Sequence, residues 1–396
     1  MNKGIEIARG KTKVLYESLG QPDQLVVMQT DAISAGDGAR RHQIAGKGRL
    51  AAQTTARVFR LLNLCGLPTH YLSGGEDDDQ NEMLVRRCNM IPLEVVVRGA
   101  AAGSFAKRHP GIAQGSMLMP RVIEFFFKDD AAHDPLITND QIVERGLASP
   151  VEVGAMTEIA RLAFEMLAHA WRRRDTLLVD LKVEFGRLAG GENQGQLVLA
   201  DVVDNDAWRI WPQGRQELML DKQLYRNLPE VDDAALARVK EAYEEVADIV
   251  GSFPQMRPGM VAMFADDQGY EDRFAEVAAA LGQFGIPSMR RVASAVVTPG
   301  YALQIVGQFE AAFARLLYVA LGDPMLYALL DHATTAPVVD GNDDPPLVAL
   351  RCAKLLGLDD TVLFGRTLLA QANRRSMVLA ADAALQVPAP PGAAFA

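Results

Sequence analysis

The stretch Leu178-Val-Asp-Leu-Lys-Val-Glu-Phe-Gly186 alternates polar and apolar residues, and Leu197-Val-Leu-Ala-Asp201 follows it closely. Such alternation is typical of a β-strand with only one face packed on a core. Between the two stretches, residues 190–195 read Gly-Gly-Glu-Asn-Gln-Gly, which is the composition of a turn. The sequence therefore predicts an antiparallel hairpin whose first strand carries a row of charged side chains.

The charged row consists of Asp180, Lys182 and Glu184 on one strand face. If the two strands pair symmetrically about the turn, Glu184 lies directly opposite Asp201, and two facing carboxylates repel each other. A cation between them would remove the repulsion, and hard oxygen ligands of this kind suit Mg²⁺. Since Lys182 lies beside them and is suited to hold a phosphate, the hairpin predicts a metal–nucleotide site.

The overall composition is that of a globular chain long enough for two domains. It has 396 residues, of which 49% are hydrophobic and 23% charged. The net charge of −10 argues against nucleic acid as the main partner. The three cysteines are scattered without a CxxC spacing, as expected for reduced thiols in a cytoplasmic protein. We find no signal peptide and no apolar run long enough to span a bilayer, so we expect no membrane partner.

Apolar periodicity predicts the main helices of the first domain at about residues 47–64, 154–172 and 233–250. The segment Gly251-Ser-Phe-Pro-Gln-Met-Arg-Pro-Gly259 carries two prolines and two glycines, and it is predicted to be the domain boundary. Beyond it, short apolar runs alternate with helical patterns, including one at residues 301–315. This alternation predicts a parallel sheet with helices on both faces.

Two turns near the start of the chain are suited to bind a phosphorylated ligand. Gly10-Lys-Thr-Lys13 places two lysines on a glycine turn that could cover a triphosphate, although it lacks the spacing of a P-loop. Ser34-Ala-Gly-Asp-Gly-Ala39 has two glycines around Asp37, and glycines permit close approach of a ligand to the backbone. Taken alone, each segment is equally compatible with a plain surface turn.

A third segment, Ile91-Pro-Leu-Glu-Val-Val-Val-Arg98, places Glu94 and Arg98 on the same face of a predicted strand. It leads into a loop of small residues that ends near Ser104. The arginine offers a planar fork for phosphate or carboxylate, and the loop amides and the serine hydroxyl are suited to an anion. A cross-strand salt bridge is the alternative interpretation.

Further candidates are Lys128 and His133, which follow an apolar run of phenylalanines, and the arginines Arg209 and Arg226. His133 is suited to act as a general base or metal ligand, or to cap a turn. Arg209 offers another anion-binding group after an acidic stretch, and Arg226 lies on a helix face that could simply be solvated.

Together these segments resemble a known family. Residues 90–104 and 178–186 resemble the two signature segments of the SAICAR synthetase (phosphoribosylaminoimidazole-succinocarboxamide synthase) family. Four more segments match that family in the same order: residues 10–13, 34–39, 127–135 and 199–211. The resemblance covers about residues 4 to 250.

The resemblance implies an enzyme that joins L-aspartate to the carboxylate of carboxyaminoimidazole ribotide (CAIR) through an acyl phosphate, with ATP and Mg²⁺. It implies an α+β domain over residues 1–255 with two lobes of the ATP-grasp or kinase-like kind. Over residues 256–396 it implies an α/β three-layer domain with a parallel sheet, similar to aminoimidazole ribotide (AIR) carboxylase. Such a two-part arrangement resembles the animal-type bifunctional enzyme.

The resemblance also assigns roles to residues. The predicted ATP-binding residues are Lys11, Lys13 and Lys128. The predicted metal ligands are Glu184 and Asp201. The predicted catalytic residues are Asp180, Lys182 and Asp37. The predicted ribotide- and substrate-binding residues are Ser34, Glu94, Arg98, Ser104, Arg209 and Arg226.

The second domain departs from the carboxylase pattern that it otherwise resembles. Asp266 and Asp267 stand where the carboxylase family has a phosphate-binding Gly-Ser-x-Ser-Asp loop, and an acidic pair repels a phosphate. Val296 and Val297 stand where that family has a histidine and a lysine, and valine cannot transfer a proton. We therefore expect a domain without carboxylase activity that serves as a homo-oligomerisation core, by analogy an octamer.

Two other functions stay open at this point. A chain that lacks the carboxylase residues could be a paralogue recruited to a purine-derived nucleoside antibiotic pathway, with a related ribotide as its substrate. It could instead be a non-catalytic scaffold, although Lys11, Lys13, Glu184 and Asp201 argue against that.

Overall fold

The computed structural model describes residues 1–36, 39–77, 79–255, 259–265, 268–292, 316–321 and 336–385. The chain divides into two compact units, residues 1–255 and 256–396. No helix within these described ranges is both long and apolar enough to cross a lipid bilayer.

The first unit contains thirteen strands and six α-helices in its described residues. In chain order the strands are β1 (Lys3–Arg9), β2 (Lys13–Ser18), β3 (Gln24–Gln29), β4 (Ala32–Ala35), β5 (Arg40–Gln43), β6 (Tyr71–Ser73), β7 (Glu82–Arg86), β8 (Cys88–Ala100), β9 (Met117–Phe127), β10 (Leu136–Ile137), β11 (Thr176–Leu188), β12 (Leu197–Ala200) and β13 (Trp208–Pro212). The helices are α1 (Lys47–Cys65), α2 (Gly103–Arg108), α3 (Asn139–Glu144), α4 (Pro150–Arg172), α5 (Gln223–Arg226) and α6 (Asp233–Gly251).

Two antiparallel sheets organise the first unit. The N-terminal sheet has the strand order β1-β2-β3-β7-β6. The second sheet has the order β10-β9-β8-β11-β12, and β13 also pairs with β11. Strand β11, which contains the alternating stretch, therefore lies inside the second sheet with β8 on one side. The α+β character predicted for this part of the chain is confirmed.

Helix α4 covers the apolar side of the second sheet, and a close approach at Gly99 allows it to do so. A Cβ atom on Gly99 would lie 2.5 Å from Cζ of Phe164. The helix begins at Pro150, four residues before the predicted start at 154. The reason is a capping box, because Glu152 N donates to Ser149 Oγ and Ser149 N donates to the Glu152 carboxylate.

Helices α1 and α6 confirm the other two predicted helices within one residue. Helix α1 is capped by Gly66, whose φ of 94° is in the left-handed region. The amide of Gly66 donates to Asn63 O and the amide of Leu67 donates to Leu62 O, which caps the free carbonyls of the last turn. Glycine adopts this conformation without the steric cost of a Cβ atom.

The second unit contains a parallel sheet, as predicted. Its strands are β14 (Met260–Ala265), β15 (Ser288–Val292), β16 (Leu316–Leu321) and β17 (Val338–Asp340). They lie in the order β15-β14-β16-β17, and every pair is parallel. Its described α-helices are α7 (Glu271–Gln283), α8 (Pro345–Leu356) and α9 (Thr361–Leu385).

One face of this parallel sheet packs on the described helices. Val261, Met263 and Val319 form a buried core with Val277 of α7 and Val348 of α8. The expectation of helices on both faces depends on the helix predicted at residues 301–315, which lies outside the described residues. The sequence departures at 266–267 and 296–297 also lie outside them.

Candidate functional site

The charged row of β11 meets a complementary row on β8. Within the ladder, Asp180 pairs with Arg98 and Glu184 pairs with Glu94. The ammonium group of Lys182 is 2.6 Å from the carboxylate of Glu94 and 3.8 Å from that of Glu184. The predictions that Asp180, Lys182 and Glu184 share one face of β11, and that Glu94 and Arg98 share one face of β8, are therefore confirmed. Two carboxylates do face each other across a ladder here, and Lys182 supplies the cation between them.

The predicted pairing of Glu184 with Asp201 is wrong by one residue, because Glu184 pairs with Ala200. The cause is the start of the turn: β11 ends at Leu188, so the loop that Leu188 and Gln196 close begins at residue 189 and not at 190. Leu188 O accepts from Gly195 N at 2.9 Å, while Leu188 N donates to Gln196 O at 3.0 Å. Gly195 and Gln196 thus both lie opposite Leu188, which forms a β-bulge. Gly195 takes the left-handed φ of 85° that such a bulge needs.

Asp201 therefore lies just beyond the end of β12, with a left-handed φ of 64°. Its carboxylate forms an ion pair with Lys13, the first residue of β2. Burial lowers the pKa of Lys13 to about 8, although the nearby charge of Glu184 raises it. Lys13 thus interacts with both predicted metal ligands and links the two sheets at this point.

Lys128 completes this group of lysines and carboxylates. Its ammonium group donates to Glu184 Oε2 at 2.7 Å. Burial alone raises the pKa of Glu184, but the charges of Lys182 and Lys128 outweigh burial and hold that pKa below its ordinary value. The carboxylate of Glu184 is therefore ionised at neutral pH, as a metal ligand must be.

A second group of charges lies at the other end of the row, around Asp180. Its carboxylate accepts from Arg209 Nη1, and it is 3.5 Å from Arg98 Nη1. The Nη2 of Arg98 donates to Ser104 Oγ at 3.1 Å. Arg98 is only 3% exposed. Two guanidinium groups thus converge on one buried carboxylate, and together with the Ser104 hydroxyl they suit a phosphate.

The group around Asp180 opens, together with Lys182 and Glu94, onto one cavity of about 290 Å³. The predicted residues that line it are Glu94, Arg98, Ser104, Asp180, Lys182, Arg209 and Arg226. The other described site residues that were predicted do not line it: Lys11, Lys13, Ser34, Lys128, Glu184 and Asp201. Ser34 lies on β4, and Lys11 lies in the turn between β1 and β2. Asp37 lies outside the described residues.

The SAICAR synthetase family model matches residues 6–248 of this sequence. The chain belongs to the SAICAR synthetase family. The phosphoribosylaminoimidazole-succinocarboxamide synthase of Roseiflexus sp. (strain RS-1) is 49% identical over 247 residues, which are 62% of this chain and 96% of that relative. A solved structure of "SAICAR synthetase (Type-2) in complex with ADP" is 32% identical to this chain, with a TM-score of 0.54. The match covers 61% of this chain and 96% of the chain in that structure.

A longer relative extends over both units. The "Probable multifunctional protein ADE2" of Caenorhabditis elegans is 31% identical over an alignment of 414 positions that covers 96% of this chain and 96% of that protein. The Roseiflexus synthase matches about three-fifths of the chain, whereas the nematode protein matches nearly all of it. The second unit therefore has a counterpart in the nematode protein, whereas the Roseiflexus synthase matches only the first unit.

The residues present fit the Mg²⁺ that the family implies, but only with a phosphate ligand. Within the described part of the chain, no three His, Cys, Asp or Glu residues form a group suited to a metal ion. Magnesium is commonly held by one or two carboxylates together with substrate phosphates and water. Glu184 and Asp201 would supply such a pair, and both interact with Lys13.

Sequence reasoning missed two carboxylates that line the cavity, Asp134 and Asp206. Asp134 has a left-handed φ of 47°, and its carboxylate accepts from Asp129 N at 2.8 Å. The motif at residues 127–135 includes this loop, but the residue predicted there as a general base or metal ligand was His133, which does not line the cavity. Asp206 lies in the acidic stretch 201–206, where composition alone could not distinguish a cavity residue from a surface one.

Asp206 is fixed by residues distant in sequence. Its carboxylate accepts from Lys222 Nζ at 2.6 Å and from the Tyr243 hydroxyl at 2.9 Å. Lys47 Nζ lies 5.5 Å from the centre of the Tyr243 ring. Burial raises the pKa of Asp206, but the charges of Lys47 and Lys222 outweigh burial and hold that pKa below its ordinary value. The cavity thus retains an ionised carboxylate whose counter-charges come from α1 and from the residue just before α5.

Proposed function

We propose that this protein joins L-aspartate to the carboxylate of CAIR, converts ATP to ADP and phosphate, and releases SAICAR. The observation that carries the proposal is the single cavity in which Arg98, Arg209 and Lys182 face Asp180 and Glu94, with the lysine–carboxylate group of Glu184 beside it. Membership of the family, and the relative solved with ADP, support the choice of nucleotide and reaction.

The proposed reaction has two steps. A carboxylate oxygen of CAIR attacks the γ-phosphorus of ATP, ADP leaves, and an acyl phosphate forms. The amine of aspartate then attacks the acyl carbon, phosphate leaves with the C–O bond electrons, and the nitrogen gives up a proton. Both steps depend on positioning of the reactants and neutralisation of phosphate charge more than on covalent help from the protein.

In this proposal the two charged groups divide the work. Lys11, Lys13 and Lys128 bind the phosphates of ATP, and the lysine charges offset the negative charge that develops there. Glu184 and Asp201 hold Mg²⁺, which when bound neutralises charge on the transferred phosphate. Arg98, Ser104 and Arg209 bind the 5′-phosphate of the ribotide, and Asp180 and Lys182 lie at the reacting end.

A product assay tests this proposal directly. Purified protein is incubated with Mg-ATP, CAIR and L-aspartate, and the products are measured by mass spectrometry. SAICAR together with ADP is the expected result. Bound Mg-ATP without product would contradict the proposed acceptor or donor, and it would favour the paralogue that acts on a related ribotide in a nucleoside antibiotic pathway. Absence of Mg-ATP binding would favour the scaffold.

For residues 256–396 the proposal is a carboxylase-like domain that has no carboxylase activity and holds the homo-oligomer together in the cytoplasm. The valines at 296–297 support the first part, because neither can transfer a proton. Removal of residues 260–396 is expected to reduce the mass measured by light scattering to that of a smaller assembly. A truncated protein that keeps the same number of subunits would contradict the oligomerisation role.

A further inference from the structure

The guanidinium group of Arg98 has a different partner at each nitrogen. Its Nε donates to Glu124 Oε2 at 2.5 Å, its Nη1 is 3.5 Å from Asp180, and its Nη2 donates to Ser104. The guanidinium also lies 5.8 Å from the centre of the Phe105 ring. Asp180 and Ser104 line the cavity, whereas Glu124 does not. Glu124 therefore holds the edge of Arg98 that faces away from the cavity.

The sheet places Glu124 behind Arg98. Arg98 of β8 pairs with Val122 of β9, so Glu124 lies two residues further along β9 on the same face. Diagonal neighbours of this kind are within reach of long side chains. The side chain of Glu124 is only 11% exposed. An arginine buried this deeply needs a fixed acceptor, because an unpaired charge is costly away from water.

A second arginine balances the charge of Glu124. Arg108, in the last turn of α2, donates from Nη2 to the other carboxylate oxygen, Oε1. The three groups Arg98, Glu124 and Arg108 therefore carry one net positive charge. A lone carboxylate behind Arg98 would weaken attraction for a phosphate, and Arg108 offsets that effect.

We propose that Glu124 is a positioning residue that directs the Nη1 and Nη2 atoms of Arg98 towards the phosphate of the ribotide. This role rests on the proposed function, in which Arg98 binds that phosphate. Because the Nε of Arg98 stays on Glu124, an incoming phosphate exchanges only with Asp180 and Ser104 at the cavity. The arginine needs no change of rotamer to accept it, so little side-chain entropy is lost on binding.

The test compares Glu124→Gln with Glu165→Gln in the full-length protein. Glu165 is a matched control, since it accepts from Nε of Arg121, an arginine of β9, at 2.8 Å and does not line the cavity. We expect Glu124→Gln to raise KM for CAIR about tenfold, which is about 1.4 kcal/mol, while KM for ATP changes less than about twofold. Glu165→Gln is expected to leave both KM values near those of the unchanged protein.

A double-mutant cycle separates positioning from general stability. If Glu124 acts through Arg98, then Glu124→Gln has little further effect on KM for CAIR in an Arg98→Lys background. Glu124→Asp, which keeps the charge, is expected to recover most of the loss. Additive losses, an equal loss with Glu165→Gln, or a parallel rise in KM for ATP would each overturn the proposal.

A binding assay keeps this test independent of turnover. If the unchanged protein makes no SAICAR, the proposed function fails, and the role of Glu124 is then decided with ribose 5-phosphate as a probe in calorimetry. Binding about tenfold weaker in Glu124→Gln than in Glu165→Gln supports the positioning role. Equal binding by both variants contradicts it.

Discussion

The buried tyrosine behind the cavity provides a sharp test of the electrostatics. Tyr243→Phe removes the hydroxyl that donates to Asp206 at 2.9 Å and leaves the ring in place. Tyr243 is 1% exposed and Asp206 is charged, so the lost hydrogen bond is of the charge-assisted kind. Its loss is expected to cost about 2 kcal/mol of unfolding free energy. For a unit of this size that corresponds to about 4–8 °C in Tm.

Tryptophan fluorescence makes this measurement specific for the first unit. All three tryptophans of the chain, at positions 171, 208 and 211, lie in it. Trp171 and Trp208 are in edge-to-face contact at 5.4 Å, close to the buried core. Urea unfolding followed at these tryptophans therefore reports the first unit even when the second unfolds separately.

The control is Tyr71→Phe, because the Tyr71 hydroxyl also donates to a carboxylate, that of Glu76, at 2.7 Å. The side chain of Glu76 is 27% exposed, so water can replace the lost donor and the expected cost is about 1 kcal/mol or less. The pKa of Asp206 lies below its ordinary 3.8, so the charged network stabilises the fold above that pH. The Tyr243→Phe deficit should therefore shrink as the pH falls below about 3.8. Equal costs for the two variants, or a deficit that grows in acid, would refute the reasoning.

Three more substitutions test other parts of the first unit. Glu184→Ala is expected to lower activity at least about 100-fold through loss of metal binding, while the protein still folds but with a lower Tm, because Lys128 and Lys182 lose a carboxylate partner; an active variant would contradict the metal assignment. Gly99→Ala is expected to destabilise by about 1–3 kcal/mol in urea unfolding, because the new Cβ atom would lie 2.5 Å from Phe164; an unchanged midpoint would contradict this packing. Glu152→Gln should cost about 1 kcal/mol at pH 7. Hydrogen bonds from Arg187 and Ser149 lower the pKa of Glu152 to about 2, so that cost should fade between pH 4.5 and 2; a cost independent of pH would contradict it.

The sequence predicted those parts of the fold that depend on local periodicity. The period-two alternation at 178–186 identified the strand and its charged face, and apolar runs identified the parallel strands of the second unit. The start of α4 was misplaced, although the spacing of Ser149 and Glu152 is a capping box visible in the sequence. The hairpin register was wrong because the glycine-rich run was taken as the whole turn, whereas β11 already ends at Leu188 and the loop begins one residue before that run.

The parts of the site that escaped prediction depend on contacts between distant residues. Glu124 behaves in the sequence like any charged residue in a strand, and only the pairing of β8 with β9 brings it to Arg98. The counter-charge of Asp206 comes from Lys222 and from Lys47, which lies 159 positions earlier in the chain. Periodicity carries no information about such pairs, because it describes which face a residue occupies and not which neighbour it meets.

The ion pairs suggest how the cavity stays folded before substrates arrive. Lys13 and Lys128, which are predicted to hold ATP phosphates, are paired with Asp201 and Glu184, and Arg209 is paired with Asp180. Half-buried cations left unpaired would repel one another and destabilise the fold. Binding of ATP with Mg²⁺ would then be an exchange, in which phosphates replace carboxylates on the lysines while the released carboxylates turn to the metal. In such an exchange each lysine keeps an anionic partner and each carboxylate gains a cationic one, so a highly charged nucleotide can bind without leaving a half-buried charge unpaired.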